Sequence, residues 1–112
     1  MPHEPKKLLH DMKQAADRIV RYTKKRTLED YISDDFLRSA VERQFEIIGE
    51  PMTRLRLASP DLAAQIIGQN KISGFRNSLI HGYDTIDHKI SWGIVTLHLP
   101  ILRRELEQLL KG

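Results

Sequence analysis

The sequence predicts an all-α fold, an up-and-down bundle of four to five helices forming one domain over residues 1–112. Three observations carry this. Apolar residues recur at three- and four-residue steps along almost the whole chain. No segment sustains the alternation of β-branched residues that a strand requires. Capping, proline and glycine signals divide the chain into helix-sized pieces. Length agrees, since 112 residues support one core. A chain this small also gains by burying further apolar area in a homodimer.

The first helix is expected at about residues 6–25, where Leu8, Met12, Ala15, Ile19 and Tyr22 share a face. Thr27-Leu28-Glu29-Asp30 reads as a capping box with a shortened acid, predicting one turn of helix at 28–32. Ser33 or Asp34 can then cap a long helix whose stripe is Leu37, Ala40, Val41, Gln44, Ile48, Met52 and Leu55, with Phe45 beside it. Pro51 interrupts that run by removing the bond to the carbonyl of Ile47, so a kink at Gly49-Glu50-Pro51 or a junction of two helices is expected. Ser59-Pro60-Asp61 is a start signal for a short helix to about Ile67, closed by Gly68-Gln69-Asn70. The next helix runs from about Ile72 to a stop at Gly82. Asp87 can cap the last one, predicted to turn Ile90, Ile94, Leu97, Ile101, Leu102, Leu106 and Leu109 inward and to bend at Pro100.

Composition removes several function classes. There is no cysteine, which rules out disulfide scaffolds and cysteine-ligated zinc. No apolar stretch reaches the ~18 residues a membrane span needs, and Met1-Pro2-His3-Glu4-Pro5-Lys6-Lys7 lacks the apolar core of a signal peptide, so a cytoplasmic protein without membrane association is expected. Eighteen Lys and Arg against fifteen Asp and Glu give a net charge of +3, which tolerates a nucleic-acid partner without demanding one. The densest basic run, Lys24-Lys25-Arg26, reads as a solvated helix end.

Chemistry concentrates at Arg76-Asn77-Ser78-Leu79-Ile80-His81, followed by Gly82 and Tyr83. This set supplies a permanent cation, a group that transfers protons near neutral pH and an amide to orient it. Asn77 and His81 are four apart and share a helix face. Arg76 and His81 are five apart, a rotation of about 140° that keeps them from converging within one straight helix. Two copies facing each other across a two-fold axis can assemble the pieces, with histidine moving protons at the ribose 2′-hydroxyl or the leaving oxygen and arginine stabilising phosphoryl charge. Neither role needs a metal. Spacing alone is weak support, because arginine and histidine are ordinary helix-surface residues.

The segment Phe75 to Tyr83 resembles the signature of the HEPN superfamily, and within it the HepT-like toxins of type VII HepT–MntA toxin–antitoxin pairs. That motif is arginine, four to six residues, then histidine, any residue and tyrosine. Glu46-Ile47-Ile48-Gly49-Glu50 is similar to the family's central helix, Ile90-Ser91-Trp92 through Leu99-Pro100-Ile101-Leu102 to its last helix, and Leu8 to Ile19 to its first. Pro51, where the family usually has a small residue, and the lack of an aromatic near Asn70 or Lys71 are departures from its pattern.

The resemblance implies a homodimeric, metal-independent endoribonuclease with paired motifs at the subunit interface, Arg76 and His81 catalytic and Asn77 supporting. It also implies an MntA-like nucleotidyltransferase antitoxin that transfers AMP onto Tyr83, whose added charge and bulk would repel RNA from the cleft. A non-catalytic module that binds nucleotide or scaffolds the nucleotidyltransferase is the alternative from a different class.

Other residues are ambiguous. Glu50 can hold Arg76 in place or be a solvated acid. His81 and His88, seven apart, lack ligand-spaced partners, so no metal or cofactor is expected. His98 reads as a core-edge or surface residue, and Phe75 and Trp92 as packing in the core or the dimer interface. Asp11 can face that interface.

Overall fold

The computed structural model describes residues 3–81 and 87–112, and for His3 and His81 the backbone alone. Helix α1 (His3–Thr23) buries Leu8, Leu9, Met12, Ala15, Ala16 and Ile19 along one stripe. It starts three residues earlier than the apolar pattern requires. Glu4 extends the first turn, where a carboxylate complements the helix dipole, and pairs with Arg54. The helix also ends sooner than expected. Thr23 Oγ bonds back to the carbonyl of Ile19 at 2.8 Å, and Lys25 adopts the left-handed conformation at φ 62°. Lys24, Lys25 and Arg26 are exposed just beyond it, as a solvated helix end should be.

The expected capping box is present. Asp30 N–H donates to Thr27 Oγ1 at 3.1 Å and Thr27 N–H donates to the Asp30 carboxylate at 2.9 Å, opening the short helix α2 (Leu28–Ser33). Of the two candidate caps for the next helix, Asp34 serves, accepting from Leu37 N–H at 3.0 Å. Helix α3 (Asp35–Ala58) then runs without a break through Pro51, so this stretch is one helix and not two. Leu37, Val41, Gln44, Phe45, Ile48, Met52 and Leu55 are buried along it. α1 packs most extensively against α3, and the two form the centre of the bundle.

Two sequence expectations fail after α3. The helix begun at Pro60 lasts only Pro60–Ala63 (α4), and Ser59 makes no side-chain cap bond. Successive three-residue turns follow, with Gln65 N–H donating to Leu62 and Ile66 N–H to Ala63, so that Ile66 is buried while Ile67 is exposed. The Gln69 side chain occupies the carbonyl of Ala63, and Glu105 from the last helix accepts Ile67 N–H at 2.9 Å. With its end groups satisfied this way, the segment closes early and α5 (Gln69–His81) begins three residues sooner than expected. The stop expected at Gly82 lies outside the described residues.

The second failure is the register of the last rod. Asp87 caps α6 (His88–Gly93) as expected, accepting from Lys89 N–H at 2.8 Å. A π-helical stretch, Ile94–His98, then leads directly into α7 (Leu99–Lys111). Pro100 has no N–H for the carbonyl of Thr96, and the backbone adapts with a wider turn in which Leu99 N–H bonds to Ile94 O, five residues back. The inward stripe therefore steps from Ile94 and Val95 to Leu99, Leu102 and Leu106, all buried. Ile90, Leu97 and Ile101, which a regular helical period places inward, are 61%, 66% and 44% exposed.

Among the described residues there is no strand, and α1, α3, α5 and the α6–π–α7 rod are the long members of an all-α bundle. Their apolar faces meet in one hydrophobic cluster that runs from Leu8 to Leu106.

Candidate active site

Helix α5 is set by three inward residues, Ile72, Phe75 and Leu79, exposed by 1%, 7% and 6%. Phe75 stands edge-on against Phe45 of α3, with ring centroids 4.9 Å apart and planes at 86°, a favoured aromatic arrangement. The Arg56 guanidinium ties the start of α5 to α3, donating to Gln69 Oε1 and, at 2.9 Å, to Ser73 Oγ. With rotation and end both held, the next residue after Phe75 falls on the seam between α5 and α3. That residue is Arg76.

Arg76 is half-buried, and its Nε donates to the carbonyl oxygen of Glu46 at 3.3 Å. It stands at one wall of a cleft of about 420 Å³ between α1, α3 and α5. α1 contributes Leu8, Asp11, Gln14 and Arg18, and α3 contributes Arg43, Glu46, Ile47, Glu50, Pro51 and Arg54. From α5 come Arg76 and Ile80, one turn apart. Apolar side chains thus lie among four arginines and three acids. Asp11 is matched by Lys7 at 2.8 Å, Glu46 by Arg43 at 3.2 Å and Arg54 by Glu4, while Arg18 donates to Gln44 at 3.3 Å. No other bond to the Arg76 guanidinium occurs among the described residues.

The motif residues divide accordingly. Arg76 faces the cleft; Asn77 and Ser78 are exposed and do not line it. His81 is the last residue of α5, and its side chain lies outside the described residues, as does Tyr83. Glu50 shares the cleft with Arg76 but is exposed and makes no ion pair with it; what holds Arg76 is backbone, the Glu46 carbonyl. Asp11 also opens onto the cleft. Phe75 belongs to the core, and Trp92 packs against Tyr31 with centroids 5.2 Å apart. His98 is half-buried. Sequence reasoning did not single out Arg18, Arg43 or Arg54, because only the packing of α1 on α3 gathers them.

A sequence model of the ribonuclease HepT-like family matches residues 12–109. A protein of Methanocaldococcus jannaschii named "Putative RNase MJ1380" is 32% identical over 104 residues, covering 91% of this chain and 93% of that protein. A protein of Thermococcus cleftensis named "Probable ribonuclease HepT" is 30% identical over 111 residues, covering 99% of this chain and 100% of that protein. No solved structure matches the chain.

Glu42, which does not line the cleft, continues the acidic row of Glu46 and Glu50 along α3, one turn before Glu46. Burial pushes the Glu42 carboxyl above its ordinary value of 4.5; His88 and Arg38 offset part of the effect and Glu46 adds to it. A raised folded-state pKa means the folded protein holds this proton more tightly than the unfolded chain. The penalty is therefore absent below 4.5 and grows as pH rises through the folded value. Glu42→Gln is expected to melt at a higher temperature than wild type at pH 7, with the advantage shrinking as pH falls toward 4.5. Thermal melts across that range check this, and a pH-independent difference would show that the charge is not its source.

Proposed function

This chain belongs to the ribonuclease HepT-like family, and from that membership we propose that it is a metal-independent endoribonuclease whose site is completed by a second copy of itself. The observation that carries the reading is the placement of Arg76, a cation held at the wall of an open cleft five residues before the histidine that ends the same helix. Five residues on a helix separate the two positions by about 140°, so a single straight helix does not bring arginine and histidine together. A two-fold axis beside the cleft brings Arg76 of one protomer to His81 of its partner, and does so twice.

The chemistry is transesterification within RNA. His81 takes the proton of a ribose 2′-hydroxyl, and the 2′-oxygen attacks the adjacent phosphorus. The bond to the 5′-oxygen breaks, and that oxygen leaves with a proton from solvent, giving a cyclic 2′,3′-phosphate and a free 5′-hydroxyl. Arg76 stabilises the charge gathering on the non-bridging oxygens. Asn77, one turn before His81, orients the imidazole. The RNase names of the relatives support RNA as the substrate class.

We assign the off-switch to Tyr83, two residues beyond His81. A nucleotidyltransferase partner transfers AMP from ATP to its phenol: the tyrosine oxygen bonds to the α-phosphorus, pyrophosphate leaves and the phenolic proton is lost to solvent. The adduct adds negative charge and bulk where the RNA backbone must lie. In this reading the chain is the toxin of a toxin–antitoxin pair, restrained in the cytoplasm by its partner.

Purified protein is expected to cleave RNA in EDTA, with Arg76→Ala and His81→Ala each lowering the rate by at least about 10²-fold, the scale of losing a general acid–base or a charge-stabilising group. RNA cleavage that survives both substitutions would refute the assignment, and a wild-type protein that binds its partner but cuts nothing would favour a non-catalytic scaffold.

On co-expression with the nucleotidyltransferase, intact mass should rise by whole AMP units, and Tyr83→Phe should abolish the increment. A neutralised protein of unchanged mass would point to inhibition by binding alone.

A further inference from the structure

Arg76 reaches the cleft by crossing a position on α3 that has no side chain. A Cβ placed on Gly49 would lie 1.7 Å from Arg76 Cδ, 2.3 Å from Nε and 3.0 Å from Cγ. The stem of the arginine fills the volume that any other residue at 49 would need. Its Nε meets the carbonyl of Glu46, three residues earlier on the same helix, so bond and notch belong to one patch of α3. Nothing in the backbone calls for glycine here, because Gly49 has no positive φ and lies in the interior of a 24-residue helix. Glycine at such a position is disfavoured relative to alanine. Gly68, Gly74 and Gly93 have nothing within 4 Å of a Cβ, so close approach does not explain every glycine in the chain.

We propose that Gly49 is a positioning residue for Arg76: a notch in α3 through which the arginine stem lies against the helix backbone, setting the depth and direction of its guanidinium in the cleft. The catalytic half of this inference rests on the reading of Arg76 as the charge-stabilising group, and the structural half stands without it. A methyl group at 49 cannot coexist with the Arg76 stem in its present path, and it touches a mobile side chain rather than backbone. The arginine must take another rotamer, lose the Glu46 carbonyl and point elsewhere, while α3 itself gains a better helix former.

The test combines cleavage kinetics with a stability cycle on the full chain: wild type, Gly49→Ala, Arg76→Ala and the double variant, each assayed on an RNA oligonucleotide in EDTA and melted by circular dichroism. Gly49→Ala is expected to keep its helical spectrum and lose about 10²-fold in kcat with KM little changed, as displacement of a catalytic group by about 1 Å does. It is also expected to raise Tm in the Arg76→Ala background, where the methyl is unopposed, by more than it does in wild type. Should Gly49→Ala alone fail to fold, recovery of folding in the double variant supports the same clash. Equal Tm shifts in both backgrounds, or full cleavage by Gly49→Ala, would overturn the notch. An inactive wild type would refute the ribonuclease reading instead, and the Tm cycle would still decide whether Gly49 seats Arg76.

Discussion

The site depends on the contact between Phe75 and Phe45. Those rings lock α5 against α3 at one rotation, with Ile72 and Leu79 buried on either side. On a helix, fixing one residue fixes all the others. With Phe75 inward, Arg76 falls on the seam, Ile80 follows one turn later on the same wall of the cleft, and Asn77 and Ser78 are left exposed. A cation with flexible torsions becomes directed only when its stem is confined. Here the confinement comes from the helix it crosses, through the Glu46 carbonyl and the bare backbone at Gly49.

Helix α3 is therefore more than a central beam. Between Glu46 and Pro51 it carries the carbonyl that receives Arg76, the glycine beneath the arginine stem, and a proline that cannot donate to Ile47. Two of these residues weaken the helix by ordinary propensity. The helix survives because Val41, Phe45, Ile48, Met52 and Leu55 remain fully buried through the same stretch. Locally unfavourable backbone is tolerated where packing on both sides over-determines the element, and here it lies beside Arg76, the candidate catalytic cation.

Much of the fold was readable because its signals are local. The capping box at Thr27, the cap at Asp34 and the core stripes of α1 and α3 depend on residues within one or two turns of each other, and each formed as expected. What sequence misread was set from a distance or by a change of period. Glu105 meets Ile67 across 38 residues and helps end the α4 segment early. Pro100 was rightly taken to disturb its helix, but the response was a π turn, and a 3.6-residue period carried through it sends Leu97 and Ile101 to the wrong side. At the site, the motif was plain in the chain, whereas the cleft was not. Arg18, Arg43 and Arg54 are scattered in sequence and become neighbours only when α1 lies on α3. Gly49 looked like part of a kink and proved to sit beneath an arginine.

The central claim is that arginine and histidine act across a subunit boundary, and subunit mixing tests it directly. Arg76→Ala and His81→Ala proteins, each inactive alone, are unfolded together, refolded and assayed for RNA cleavage in EDTA. A mixed dimer retains one site with an intact arginine from one protomer and an intact histidine from the other, so the mixture should recover about a quarter of wild-type activity with random pairing. A mixture as inactive as its parents would contradict the composite site.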